Sequence, residues 1–600
     1  MRVADYIFNR LQSHGINKAY IVTGRGALFL TDGLAKNGSF YVICTHHEQA
    51  AGYAAVAEAQ LSETLSLCLV STGCASTNCI TPVLNAWQDN LPVIFISGQN
   101  VLNETTYYKK AKLRTYGQQE ANIADLVKPI TKFSSMVTCA QDVPNLLEEA
   151  ITAANSGRKG PVWLDIPLDI QSSRIKDENI KPKKQPSRNS LTSKKTLKIS
   201  KSVDSLINAL SISKRPVILI GSGVRSSSTQ KDLATFVELN DIPLVYAASA
   251  VDVYPAGKKL SVGSIGSMGC SRQGAFVLQN ADLILVLGNR LPSILTGNDF
   301  CKFGRDASIH LVDIDKSEHQ KEGIKIDNFI NSDLNHFFQL LPLNKRSTKN
   351  LNPWIKKVEH WKKLFSRMGN FNPATQTDLY DLANSLSMKI QGDSIVITDS
   401  GFIEVILPTN INFSPKRRAI HPVSQGSMGF ALPAALGAYD PKNPDKEILV
   451  VVGDGSIMMN IQELQTIRHH KINLKIIVIN NNNYSIIRRR QSELFRKRTI
   501  GTGIEDGVST PDFKDLSKTF GLKYICCKTA KSLNSSVDKL LSARQPTILE
   551  IYGRHDQAYI EVAATKNIDG KIVRRPLEDQ WPFLDRDLFK KEMLIEPIDL

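Results

Sequence analysis

A chain of 600 residues exceeds the ~250–300 residues at which one hydrophobic core stops growing, so two to four domains are expected. At 42% hydrophobic and 22% charged residues the composition is that of an ordinary soluble globular protein, and no apolar run reaches the ~18 residues needed to span a bilayer. The formal net charge of +16 invites nucleic acid, yet "RIKDENIKPKKQPSRNSLTSKKTLKIS" (174–200) alone carries nine Lys or Arg against two acids, the composition of a solvated linker. Neither nucleic acid nor membrane is expected as a partner.

In chain order, "MRVADYIFNRLQSHGI" has helical spacing without the apolar centre of a secretory signal. Nine cysteines lack framework spacing and read as reduced thiols, so the expected location is the cytoplasm. "FYVICT", "LSLCLVST" and "LPVIFISG" read as strands of a first segment, residues 1–170. A basic linker (171–200) leads to a second segment (201–340) with strands "RPVILIGSG", "DIPLVYAA", "ADLILVLG" and "SIHLVDID". A second linker (341–354) precedes a third segment (355–560) with "DSIVITDSG", "KEILVVVGDG", "LKIIVINN" and "PTILEIYG", and residues 561–600 form a tail. Strands alternating with helical patterns predict an α/β protein of three doubly wound parallel-sheet domains.

The third segment holds the most informative spacing. "EILVVV" is a buried strand, "MNIQELQTIRHH" a helix with Ile461, Leu464 and Ile467 on one face, and "LKIIVI" the next strand. Such a unit places Asp454 and Asn481 at the carboxyl ends of two neighbouring parallel strands, the edge where open α/β sheets bind ligands. Gly453 and Gly455, followed by Ser456, let backbone N–H groups approach an anion. A carboxylate with amide oxygens suits Mg²⁺, which completes its octahedron with phosphate and water. The bland alternative is a plain Asp-Gly turn.

"GDGS", then 24 residues, then "NN" resembles the thiamine diphosphate motif of the pyruvate oxidase and acetolactate synthase superfamily. The resemblance implies Mg²⁺ held by Asp454, Asn481 and the carbonyl of Asn483, and names the three domains pyrimidine-binding, central and diphosphate-binding. Enzymes of this superfamily use a glutamate that touches the cofactor's aminopyrimidine ring and opens a path for the thiazolium C2 proton. In "VICTHHEQAAGYAAVAEA" that residue is Glu48, at the start of a helix of small residues; alone it reads as a charge favouring the first helical turn. Zinc bound by His46 and His47 is a weak alternative, since adjacent residues of an extended segment face opposite ways. "VSTGCASTNCIT" resembles the family's Gly-rich loop, with Gly73, Thr77 and the cofactor-binding Asn78. "TYGQQEANI" resembles the segment that brings Gln119 near the reacting centre. "SQGSMGFALPAALGA" is similar to the loop that bends the cofactor, Met428 wedged beneath it and the Gly426 carbonyl accepting from its 4′-amino group.

Departures fall around substrate and flavin. Arg488, Arg489 and Arg490 stand where acetolactate synthases carry Arg-Gln-Trp, Leu168 replaces a lysine, Phe402-Ile403 a Gln-His pair, and Arg25-Gly26 a Gly-Gly. With the tail "RRPLEDQWPFL" these changes resemble acetolactate synthase-like proteins of surface-polysaccharide gene clusters. In the second segment "GSMGCSRQGAFVLQNADLILVLGNRL" resembles the FAD-binding region of acetolactate synthases, and Arg290 matches an FAD-contacting arginine; the lone "GSG" is weak, so FAD stays open. The implied function is carboligation. A 2-oxo acid, pyruvate first, is decarboxylated and its two-carbon unit transferred to an acceptor carbonyl, either a second 2-oxo acid or a nucleotide-linked keto sugar. The three arginines read either as a solvated helix end or, if Arg490 faces the cleft, as a guanidinium fork for an acceptor carboxylate or phosphate. Alternatives are a simple decarboxylase, a flavin-linked oxidase, or a non-catalytic regulatory or binding subunit. The resemblance also implies a homodimer or homotetramer, with Glu48 of one copy facing the "GDGS" motif of another.

Overall fold

The computed structural model describes residues 1–176, 193–343, 349–365, 375–566 and 570–598. Three six-stranded sheets carry the chain, and every pairing within them is parallel. The first contains β1 (Lys18–Ile21), β2 (Tyr41–Cys44), β3 (Ser66–Val70), β4 (Val93–Gln99), β5 (Phe133–Met136) and β6 (Val162–Pro167), ordered 2-1-3-4-6-5. The second contains β7 (Pro216–Ile220), β8 (Leu244–Tyr246), β9 (Ser261–Ser264), β10 (Leu283–Leu287), β11 (Ser308–Asp313) and β12 (Asn328–Asn331), ordered 12-11-10-7-8-9. The third contains β13 (Ile395–Thr398), β14 (Arg418–Ile420), β15 (Ile448–Gly453), β16 (Lys475–Asn480), β17 (Lys523–Cys527) and β18 (Thr547–Tyr552), ordered 14-13-15-16-18-17. The predicted α/β class with three parallel sheets is what the structure shows. The outer sheets share one topology, while the middle sheet has the 3-2-1-4-5-6 order of dinucleotide-binding sheets, its order reversing between β7 and β10.

Four helices carry or support the predicted site residues: α1 (Glu48–Ser62), α2 (Phe402–Asn410), α3 (Ala431–Ala438) and α4 (Ser485–Leu494). α1 and α3 pack directly on each other and merge the cores of the first and third sheets. Their alanine and glycine faces permit this: any side chain at Gly437 would strike the Ala54 carbonyl. Tyr53 and Phe430 close one end edge-to-face, centroids 5.4 Å apart.

Both linkers are shorter than their polarity suggests. Residues 177–192 and 344–348 lie outside the described residues, but helices begin at Ser193 and Asn352. The first of these is Lys-rich yet buries Ile199, Val203 and Leu206 at helical spacing, which composition alone hides. Nor does the segment after 560 behave as a loose tail. It packs against the middle sheet's core, where Glu592 accepts from Lys357, His360 and Trp361 of the helix that begins at Asn352, and buried Glu578 pairs with Arg305. Among the described residues no helix is long and apolar enough to cross a membrane, and all nine cysteines are free thiols.

Candidate active site

The predicted residues fall into two groups. The first lies on the carboxyl edge of the first sheet. His47 caps α1, its Nδ1 accepting from the Gln49 N–H at 3.1 Å, and that role displaces the zinc alternative for this ring. Among the described residues no three His, Cys, Asp or Glu are placed to hold a metal. Glu48 opens α1 half-buried, its Oε2 accepting from Asn78 Nδ2 at 2.9 Å. Cys79 donates to the Glu48 carbonyl at 3.3 Å. Gln119 sits beside them with a left-handed φ of +60°, its carbonyl packed so closely on Gly73 that no side chain fits there. A non-glycine residue held in that region implies a surrounding frame that fixes it.

The second group lies where β13, β15 and β16 end. Asp454 is 3% exposed; its Oδ1 accepts from the Gly455 N–H at 2.8 Å and its Oδ2 from Asn481 and Asn482 N–H at 3.1 and 2.6 Å. Burial outweighs those three donors and pushes its carboxyl up to about 6. It is a buried carboxylate surrounded by backbone N–H dipoles. Asn483 turns its N–H to the Asn481 side-chain oxygen at 3.2 Å, and its own side chain is held by His555 and Ser485. The glycines differ from the expected pair. A side chain at Gly455 would enter the Tyr484 ring, so that glycine serves packing, whereas Gly453 meets only Ile403 and Ser456 at ordinary contact and keeps its space open.

Sequence reasoning missed Asp399, at the end of β13. Fully buried, it accepts from Ser400, Gly429 and Ala431 N–H groups and from the Ser456 hydroxyl, at 2.6–3.1 Å. This carboxylate ties the 426–428 loop to "GDGS". Ser456, expected at the cofactor, has its hydroxyl turned inward to Asp399 instead. Gly426 keeps a left-handed φ of +58°.

One cavity of about 820 Å³ takes in Gly426, Met428, Gly453, Asp454, Gly455, Ser456, Asn481 and Asn483, and extends past Arg290 to the edge of the middle sheet at Gly221, Gly223 and Gly288. Arg290 donates to the Ser424 hydroxyl at 2.7 Å. Glu48, Asn78 and Gln119 do not line it. Phe402 and Ile403 form an apolar wall, and Glu404 follows with no hydrogen-bond partner among the described residues. Desolvation, then Asp399 and Asp89, hold the Glu404 carboxyl well above its ordinary value. The folded protein therefore keeps a proton that the unfolded chain releases, and this costs stability as pH rises beyond the unfolded value. Glu404→Gln should leave the melting temperature unchanged near pH 4 and raise it increasingly toward pH 8; a pH-independent difference in thermal scans would contradict this.

The three arginines do not face the cavity. Arg490 bonds Glu493 and Glu561, each at 3.0 Å, and Arg489 bonds Glu561 at 2.5 Å while lying over Tyr559 and Trp581. Helical geometry turns both toward the returning C-terminal segment, so the expected acceptor contact at Arg490 is replaced by a clamp on that segment. Arg488 is within 4 Å of Glu505 and Asp506.

Comparison with known proteins matches this architecture. The thiamine pyrophosphate enzyme N-terminal TPP-binding domain matches residues 1–126, the central domain 203–341 and the C-terminal TPP-binding domain 399–551. The chain is 29% identical over 573 residues to the acetolactate synthase large subunit of Corynebacterium glutamicum, covering 94% of this chain and 89% of that protein. It is 29% identical over 555 residues to that of Lactococcus lactis (91% and 92% covered). With acetolactate synthase isozyme 2 large subunit of Escherichia coli, identity is 26% over 596 residues, covering 99% of each. The chain belongs to the thiamine diphosphate-dependent enzymes of the acetolactate synthase type.

Proposed function

We propose that the protein is a Mg²⁺-dependent carboligase that decarboxylates a 2-oxo acid, pyruvate first, and transfers the two-carbon unit to an acceptor carbonyl. One observation carries this reading: the buried Asp454 carboxylate shares a cavity wall with Asn481, Asn483, Gly426 and Met428, while a separate cluster joins Glu48, Asn78 and Gln119. A non-catalytic subunit would have no use for the second cluster.

Thiamine diphosphate, when bound, supplies the electron sink. Asp454, the Asn481 side-chain oxygen and the Asn483 carbonyl would hold the metal, and a buried carboxylate beside amide oxygens on the cavity wall fits such a group. The Gly426 carbonyl and Met428 would position the cofactor's aminopyrimidine, and Asp399 fixes the end of that loop through Gly429 and Ala431. Glu48, oriented by Asn78, moves the proton. Glu48, Asn78 and Gln119 do not line the cavity that holds Asp454. As the family resemblance implies, the complete site would take Glu48 from one copy and Asp454 from another, making the working unit a homodimer or larger.

The remaining cavity borders the strand-order reversal at Gly221 and Gly288, where dinucleotides bind. Its size is near the upper end of the ~300–1,000 Å³ of ligand pockets, leaving space beyond the diphosphate for FAD, with Arg290 at the boundary. Nine free thiols suit a reducing cytoplasm.

The test is product analysis from labelled pyruvate with thiamine diphosphate and Mg²⁺, with and without acceptors. CO₂ release with a carboligated product is expected. Acetaldehyde alone would make the enzyme a decarboxylase, acetate alone an oxidase, and no CO₂ a binding subunit.

A further inference from the structure

Between Glu104 and Glu120 the chain reads "TTYYKKAKLRTYGQQ": Lys109, Lys110, Lys112 and Arg114 with no acid. Among the described residues none of these four has a carboxylate within ion-pair distance, in contrast with the neutralised Arg488, Arg489 and Arg490. Tyr107, Tyr108 and Tyr116 are 38%, 47% and 54% exposed. An exposed basic stretch is usually only a solvated face. Here the stretch is built onto a frame. The Glu120 carboxylate accepts from Thr106 N–H, Thr106 hydroxyl and Tyr116 N–H at 2.5, 2.6 and 2.8 Å, so it closes the segment on itself. Asn100 donates to the Gln118 carbonyl at 2.9 Å, and a side chain at Gly117 would strike the Glu104 carbonyl and Asn100.

The frame ends at the first cluster of the site. Gln119 packs on Gly73, and Asn78, which caps the turn after Gly73, holds Glu48. Arg25 arrives from the other side: it follows β1 on the turn packed against Ser71 and Thr72, and its guanidinium donates to the Gln118 side-chain oxygen at 2.6 Å. That partner is a neutral amide, and no carboxylate pairs with Arg25 among the described residues. Five cations and three exposed aromatic rings therefore lie on Arg25 and on the segment that leads into Gln119.

We propose that Arg25 and the 105–119 segment bind the nucleoside diphosphate portion of the acceptor, which is then a nucleotide-linked keto sugar. This rests on the carboligase reading above. A diphosphate matches a guanidinium fork with flanking ammonium groups, and a single base stacks on an exposed tyrosine. Placing those charges at the rim leaves the sugar's carbonyl to enter toward Gln119. A second 2-oxo acid, with one carboxylate, would need neither the four loop cations nor the rings.

The experiment is calorimetric titration of holoenzyme saturated with thiamine diphosphate, Mg²⁺ and FAD, so that those sites do not compete. Uridine and thymidine diphosphates are the probes, with inorganic pyrophosphate and a single-stranded oligonucleotide alongside, at low and high salt. A nucleoside diphosphate should bind at least tenfold more tightly than pyrophosphate, and more weakly as salt rises. Arg25→Gln, or joint replacement of Lys109, Lys110, Lys112 and Arg114 by Gln, should weaken binding tenfold or more, whereas Arg25→Lys retains most of it. Thermal melting establishes that each variant is folded; if the joint variant is not, Arg25→Gln decides. No nucleoside diphosphate binding, unchanged affinity in folded Arg25→Gln, or binding of the oligonucleotide alone overturns the proposal. CO₂ release from pyruvate by the unaltered enzyme without nucleotide tests the carboligase reading separately.

Discussion

Glu48→Gln should lower exchange of the C2 proton of bound thiamine diphosphate by about 10²–10⁴-fold, the range general acid–base groups contribute, while changing cofactor affinity by less than tenfold. Gln has the same shape and can still bond Asn78, so the start of α1 and the Cys79 contact to residue 48 should survive. What is lost is an ionised carboxylate beside the aminopyrimidine. Affinity should survive because, on the proposed reading, the diphosphate and metal would be held by the other group of residues, around Asp454, whose cavity Glu48 does not line. Exchange into deuterium oxide, followed by NMR after acid quench, checks this; parent-like exchange would remove Glu48 from the proton path.

Asp454→Ala should do the opposite, with cofactor affinity falling by about 10²–10³-fold or more, the scale expected when one partner of a buried charge pair is removed. The variant also strands the Gly455, Asn481 and Asn482 N–H groups that the carboxylate now satisfies. Calorimetric titration should show binding that requires Mg²⁺ in the parent and is nearly absent in the variant. Unchanged, metal-independent binding would sink the metal assignment.

The strands beneath this site were legible because "ILVVV" and "IIVI" are uninterrupted β-branched and aliphatic runs buried on both faces, and their register places Asp454 beside Asn481 through local spacing alone. Glu48 was legible only by resemblance, since one glutamate at a helix start has an ordinary local explanation. Asp399 could not be found from spacing: its partners Gly429, Ala431 and Ser456 lie 30 to 57 positions away, and only the folded loop brings them to one carboxylate. The arginine triplet misled for the same reason. Glu561, which claims Arg489 and Arg490, is about 70 positions downstream in a segment that composition marked as tail. Gly455 looked like a ligand cradle because "GDG" reads that way locally; the Tyr484 ring that fills its space comes from the next strand's end.

Subunit mixing tests most directly whether one active site is completed by two copies of the chain. Glu48→Gln and Asp454→Ala homodimers, each inactive alone, are combined at equal concentration and allowed to exchange, and CO₂ release from pyruvate is followed. A mixed dimer then has one site with both defects and one with neither. Random exchange should restore about a quarter of parent activity, since half the dimers are mixed and each has one working site of two. If mixed dimers form, as shown by mass spectrometry, and no activity returns, Glu48 and Asp454 act within the same copy and the shared site is contradicted.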